Sequence, residues 1–237
     1  MSWLALHSRV VEPEILDGLP ALDPRALASR NDLVKINRIM GTTAIQAAHL
    51  KAKFGIGHPR RVIELGAGDA RSTLKLARLL GPSWKGVHLI LLDRHRCVNE
   101  TTRMGIAQLG WTVQFVGADV LEWLRHNPLN PDDVVLANLF LHHFDTQPLR
   151  ELFKLIAAGA GHFVTTEPRR WKPGVLGARA LRLIGCNGVT CNDAVLSVRA
   201  GFAGRELENL WPRGKRWQME EREASWSVHF FAAHLAS

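Results

Sequence analysis

The sequence predicts an α/β fold, a doubly wound and mostly parallel sheet with helices on both faces, preceded by a helical segment and closed by a terminal hairpin. Three observations carry it. Short apolar runs alternate with amphipathic stretches from Arg61 to Thr165. The connections between them are short and hold Gly, Pro or Asp. A Gly-rich turn, Glu64-Leu65-Gly66-Ala67-Gly68-Asp69, stands between the first strand candidate and the first helical pattern. With 237 residues, 46% of them hydrophobic and 22% charged, the chain is long enough to bury one sizeable core.

Taken in order, residues 1–22 are rich in Pro and turn formers. Asp23-Pro24 then offers a helix cap with Pro in the first turn, and apolar residues recur at helical spacing toward Phe54. Residues 1–58 therefore read as an N-terminal helical cap and 59–237 as the main domain. In that domain strand candidates at 62–65, 87–92, 112–116, 134–139 and 163–165 alternate with helix candidates at 74–80, 98–109, 120–124 and 149–156. After Glu167-Pro168 the rhythm breaks. Residues 169–200 are expected as an insertion over the sheet's edge, with an apolar and basic stretch at 175–184, a break at Asn187-Gly188 and a helical candidate at 193–199. Two β-prone segments, from Trp217 and from Ser225, end the chain as an antiparallel hairpin.

Composition narrows the function classes. The longest apolar runs fall short of the roughly 20 residues that cross a bilayer, and the first seven residues lack a basic n-region and apolar core, so the expected compartment is the cytoplasm. Three cysteines, Cys97, Cys186 and Cys191, without CxxC spacing argue against a disulfide framework or a Cys-rich zinc site. The net charge of +8 favours an anionic partner, nucleic acid included, but the basic residues are dispersed, with clusters only at 169–172 and 213–216. Nucleic acid is therefore not the favoured partner.

The glycines of the turn let backbone pass close to a nucleotide-like ligand at a helix N-terminus. A dinucleotide fingerprint needs a third small residue where Arg71 stands, and no Gly-Lys-Ser/Thr follows, so dehydrogenase and P-loop readings lose ground. The stretch Val62-Ile-Glu-Leu-Gly-Ala-Gly-Asp-Ala-Arg-Ser-Thr resembles the first motif of class I S-adenosylmethionine-dependent methyltransferases, with Ala70 where a third glycine is usual. The resemblance implies a Rossmann-like, seven-stranded sheet with an antiparallel terminal strand, and S-adenosylmethionine as cofactor. It puts Glu64, with Gly66, Ala67 and Gly68, at the methionine part. Asp93, with Arg94 beside it, falls at the ribose, and Asp119 and Val120 of Gly117-Ala118-Asp119-Val120 fall at the adenine. The run Val134-Val-Leu-Ala-Asn138-Leu139-Phe-Leu-His142-His143-Phe is similar to the strand-end motif of small-molecule members, ubiquinone and menaquinone biosynthesis methyltransferases among them. That similarity sets Asn138 and Leu139 beside the reacting sulfonium. It differs from the Asn/Asp-Pro-Pro-Tyr of enzymes that methylate amino groups of DNA bases, and the chain has no Tyr.

Methyl transfer needs alignment and exclusion of water, and a base only for some acceptors. For a phenol or enol, His142 or His143 at the strand end is the candidate base, with one of the two expected to face the pocket. Glu167 ends the fifth strand candidate, on the edge of the sheet where ligands bind, while Asp193 and His229 are weaker candidates. No metal is expected, since Asp132-Asp133 begins a strand rather than ending one. The expected acceptor is a small apolar or aromatic metabolite methylated on oxygen, covered by the N-terminal helix and by Trp171, Val175, Leu176, Leu181, Leu183 and Ile184. The competing readings are an RNA or protein methyltransferase and a noncatalytic adenosyl-binding or assembly protein.

Overall fold

The computed structural model describes residues 6–20, 22–214 and 217–236. The reading of residues 1–5 as free of a leader, and half of the basic cluster at 213–216, lie outside them. The chain begins with a single helical turn, α1 (Ile15–Gly18), and two longer helices, α2 (Pro24–Met40) and α3 (Thr42–Phe54). The Asp23 carboxylate accepts the Arg25 N–H at 2.8 Å and Pro24 takes the first helical position with its φ already set. Gly41, at φ +72°, ends α2 and turns the chain into α3.

The alternating region then runs β1 (Arg61–Leu65), α4 (Arg71–Leu80), β2 (His88–Asp93), α5 (Glu100–Gln108), β3 (Thr112–Gly117), α6 (Val120–His126), β4 (Asp133–Asn138), α7 (Thr146–Gly159) and β5 (His162–Pro168). Next come α8 (Lys172–Ala180), α9 (Gly188–Ala200) and α10 (Glu206–Leu210), and the closing hairpin β6 (Trp217–Glu223) and β7 (Val228–Leu235). The seven strands form one sheet in the order β3-β2-β1-β4-β5-β7-β6, in which β7 is antiparallel to both neighbours. Strand order reverses between β1 and β4, which pair directly in parallel, so a crevice lies outside their carboxyl ends.

Two-residue periodicity splits the core between the faces. Ile63, Leu65, Val135, Ala137, Phe163 and Phe231 pack with α6, α7 and α10. Val62, Leu89, Leu91, Leu136, Val164 and Phe230 pack with α3 and α4. Glu64 falls on the second face, between Val62 and the first turn of α4. At the other edge of the sheet Arg61 is paired with Asp133, away from the crevice.

The insertion differs from expectation. It does not lie over the sheet's edge; α9 packs against α1, α2 and the 3-10 turn Leu141–His143, above the strand ends. Polar contacts across long stretches of sequence hold it there. Asp32 accepts the Asn187 N–H at 2.8 Å, and the Asp193 carboxylate accepts the N–H groups of Ile15 and Leu16 at 3.0 and 2.9 Å. Arg9 donates to the Ala200 carbonyl at 2.8 Å. Asn187, read as a break, is the N-cap of α9 and accepts the Thr190 N–H, so this helix starts earlier than predicted. Of the apolar residues expected to cover an acceptor, Trp171 and Leu181 face inward, whereas Leu176, Leu183 and Ile184 are 65%, 87% and 50% exposed.

Candidate active site

A cavity of about 750 Å³ lies between the carboxyl ends of β1, β2 and β4 and the cover formed by α1, α2, α8 and α9. The turn after β1 forms part of its floor. The N–H groups of Gly66 and Ala67 donate to the Leu92 carbonyl at 2.9 and 3.2 Å. Gly66 has φ +67°, and a Cβ there would stand 2.0 Å from the ring of Phe140, so glycine is needed both for conformation and for space. Gly68, at φ +54°, would meet no atom within 4 Å and opens on the cavity. Its N–H donates to Asp93 at 2.8 Å, and the other Asp93 oxygen accepts the His95 N–H at 2.8 Å. Asp93 thus ties the end of β2 to the turn after β1.

Glu64 is buried and accepts a short hydrogen bond from the Thr73 hydroxyl. Burial pushes its carboxyl pKa up to about 7, against the Thr73 hydrogen bond and with help from Asp93 and Asp69. Nearby, Asn37 of α2 donates to Ser72 at 3.4 Å, and its side-chain oxygen is buried without a partner among the described residues. Asn37 borders the cavity and was not singled out from the sequence, where it is one polar residue on an ordinary helix. This stretch of wall offers a carboxylate and a free carbonyl oxygen, a pair of acceptors that fits the ammonium group of an amino acid. Arg94, Asp119 and Val120 line the cavity farther along. Asp119 is also the N-cap of α6, accepting the Leu121 and Glu122 N–H groups, and pairs with Arg94 at 2.5 Å. Burial alone would raise its pKa, but Arg94 and these N–H donors hold it below the usual value.

The segment after β4 lines the cavity beside the turn after β1, with Phe140 against Gly66. Asn138 accepts the Thr166 hydroxyl at 2.9 Å, and Leu139 adopts φ +53°, a left-handed conformation uncommon for a non-glycine residue. Glu167 lies beneath this segment and outside the cavity lining. It accepts the N–H groups of Phe140, Leu141 and His142, the Thr165 hydroxyl at 2.8 Å, and His142 Nδ1 at 2.8 Å. The expectation that Glu167 acts on substrate is therefore corrected: its oxygens are spent on shaping the turn, which makes it a positioning residue. Its charge survives burial because His142 and the backbone donors hold its pKa down.

Both histidines face the cavity, where one was expected. They share the 3-10 turn Leu141–His143, with ring centroids 4.3 Å apart. Glu14, reaching in from the N-terminal segment, places a carboxylate oxygen 3.6 Å from His142 Nε2 and accepts the Ser197 hydroxyl. Asp17 stands 3.5 Å from His143 Nδ1. Burial opposes charge on His142, but Glu14 and Glu167 outweigh it and pull its pKa up to about 9. Burial and the neighbouring His142 lower that of His143. Of the weaker candidates, Asp193 is engaged with α1, and His229 is buried outside the cavity lining, bonded to Glu221 at 2.7 Å. The basic cluster at 169–172 is largely consumed inside the molecule: Arg169 pairs with Glu223 and covers Trp171, and Arg170 holds Glu206 and the carbonyls of Leu6 and Gly201. No described helix is long and apolar enough to cross a membrane.

No family model matches the chain, and no curated protein sequence matches it. Solved structures do. The plantazolicin methyltransferase BpumL, in complex with SAH, superposes with a TM-score of 0.63 at 12% identity, over 91% of this chain and 92% of that one. An O-methyltransferase family protein from Burkholderia thailandensis reaches 0.54 at 18% identity, over 92% of this chain and 61% of that one. The mitomycin 7-O-methyltransferase MmcR reaches 0.50 at 14%, over 93% of this chain and 60% of that one. At such identities the likeness is one of architecture, and with the strand order and its single antiparallel strand it establishes that the chain has the Rossmann-like fold of the class I S-adenosylmethionine-dependent methyltransferases.

Proposed function

We propose that the protein is an S-adenosylmethionine-dependent methyltransferase that methylates an oxygen of a small apolar or aromatic metabolite. One observation carries the reading: a single cavity is lined by Glu64, Asn37, Asp93 and Asp119 together with Asn138, Leu139, Phe140, His142 and His143 from the segment after β4. When bound there, S-adenosylmethionine supplies a methyl group activated by a sulfonium. Glu64 and Asn37 would hold its ammonium group, and Asp93 would accept hydrogen bonds from its ribose hydroxyls. Leu139 and Phe140 wall the methyl group from water, and Trp171 and Leu181 give the acceptor an apolar cover. The acceptor oxygen approaches from the His142–His143 end. A hydroxyl held there would be methylated on oxygen with its proton passing to the His143–Asp17 pair, since His142 already carries one. O-Methyl transfer by similar structures supports the choice of oxygen.

Calorimetric titration with S-adenosylmethionine, S-adenosylhomocysteine and NADH tests the reading. Micromolar binding of the adenosyl pair without NADH is expected, followed by transfer of labelled methyl to hydroxylated aromatic acceptors. Binding of NADH alone would overturn it. Asp93→Ala should weaken S-adenosylmethionine binding by at least about 1 kcal/mol, roughly fivefold, through lost ribose hydrogen bonds and a released Gly68 N–H.

A further inference from the structure

We infer that Glu14, His142 and His143 form a binding site for a divalent first-row transition-metal ion at the acceptor end of the cavity. One ligand atom from each lies within 4.8 Å of the other two. Glu14 Oε1 and His142 Nε2 are 3.6 Å apart. Two ligand atoms on a tetrahedral ion at about 2.0–2.1 Å stand roughly 3.4 Å apart, so small side-chain rotations bring the three onto one centre. Two imidazoles and a carboxylate are a donor set suited to zinc, iron, cobalt or nickel rather than to calcium or magnesium.

The surroundings have the second layer that such sites need. Glu167 accepts from His142 Nδ1 at 2.8 Å, which keeps that nitrogen protonated and leaves Nε2, on the side of Glu14, as the atom a metal ion would take in exchange for its proton. Glu167 also holds the backbone N–H groups of Phe140, Leu141 and His142, so the ligand-bearing turn is rigid. Glu14 is oriented by the Ser197 hydroxyl. Charge points the same way. Glu14, Asp17 and Glu167 bring three carboxylates to two imidazoles, and Asp193 stands nearby, occupied with the N–H groups of Ile15 and Leu16. The cation beside them, Arg9, directs its guanidinium to the His142 and Phe144 carbonyls and lies over the Phe202 ring. A divalent ion would balance that excess. Because all three ligands border the cavity, its remaining positions are open to an acceptor. On the methyltransferase reading, an acceptor oxygen bound there would ionise more readily, which favours acceptors with a second oxygen donor beside the reacting hydroxyl.

This site is not legible in the sequence, since Glu14 lies far along the chain from the two histidines. The test uses the full chain, freed of metal with a chelator and titrated with Co2+ followed spectroscopically, with Zn2+ in competition. One equivalent of Co2+ should bind with a visible band of low-coordinate geometry, displaced by Zn2+. Glu14→Gln and His143→Ala should each weaken binding by at least roughly tenfold, whereas His126→Ala, on the exposed end of α6, should leave it unchanged. Retained S-adenosylmethionine binding by the two variants shows that they are folded. Absence of stoichiometric Co2+ binding to the unmodified chain would overturn the site, as would undiminished binding in both variants. Protein that binds S-adenosylmethionine but not Co2+ removes the metal site alone; protein that binds Co2+ but neither adenosyl ligand removes the methyltransferase reading alone.

Discussion

Glu64 is a buried carboxyl that is costly to ionise in the free protein and that, on the proposed reading, holds the ammonium group of the cofactor. Its folded pKa near 7 lies above the ordinary 4.5, so ionisation costs the free protein stability as pH rises through that window. Glu64→Gln should therefore be more stable than the parent at pH 8, by on the order of 2 kcal/mol in chemical denaturation, and the gain should fade as pH falls toward 4.5. Binding should move the other way. A cationic ammonium favours the ionised carboxyl, so affinity for S-adenosylmethionine should rise between pH 6 and pH 8 with release of a proton, and Glu64→Gln should bind weakly throughout. Calorimetry in buffers of different ionisation enthalpy would measure both. Glu64 was legible because it stands near the end of a strand that runs into a glycine turn. Asn37 and Glu14 were not, because a polar side chain on a helix or in a leading segment carries no local mark of the wall it will meet.

At the scale of elements, the two glycines of the turn after β1 separate packing from ligand space. Gly66→Ala would drive a methyl group into the Phe140 ring and displace the segment after β4, with an expected loss of stability of at least about 2 kcal/mol and loss of S-adenosylmethionine binding. Gly68→Ala meets no protein atom and carries only the left-handed strain of about 1–2 kcal/mol, yet its methyl group enters the cavity. Its binding defect should exceed its shift in melting temperature, a contrast that thermal melts and calorimetry on the same samples will read. The strands and most of their helices were legible because sheet pairing and helix faces follow local periodicity, as in 62–65 against β1. The role of Glu167 was not. Its place at a strand end signals chemistry, but only the fold of 140–142 reveals that three N–H groups claim it first.

For the molecule as a whole, the cover of the cavity is drawn from two distant parts of the chain. Asp193→Ala would orphan the N–H groups of Ile15 and Leu16 and should cost about 1–3 kcal/mol. Proteolytic cleavage within residues 6–22 should become faster, while S-adenosylmethionine affinity stays within about twofold, because Glu64 and Asp93 are untouched. An unchanged cleavage rate would mean that α1 is held by other contacts. The sequence places the helices before β1 and after β5 over one acceptor but does not show what joins them, since those hydrogen bonds link side chains and backbone across most of the chain. The separations of those bonds, 155 residues for Asp32 with Asn187 and 183 for Glu14 with Ser197, also bear on how the protein is made. During synthesis the first helices leave the ribosome long before their partners exist. They must wait through the building of the sheet, and the chamber acquires its roof only when the chain beyond residue 190 has emerged.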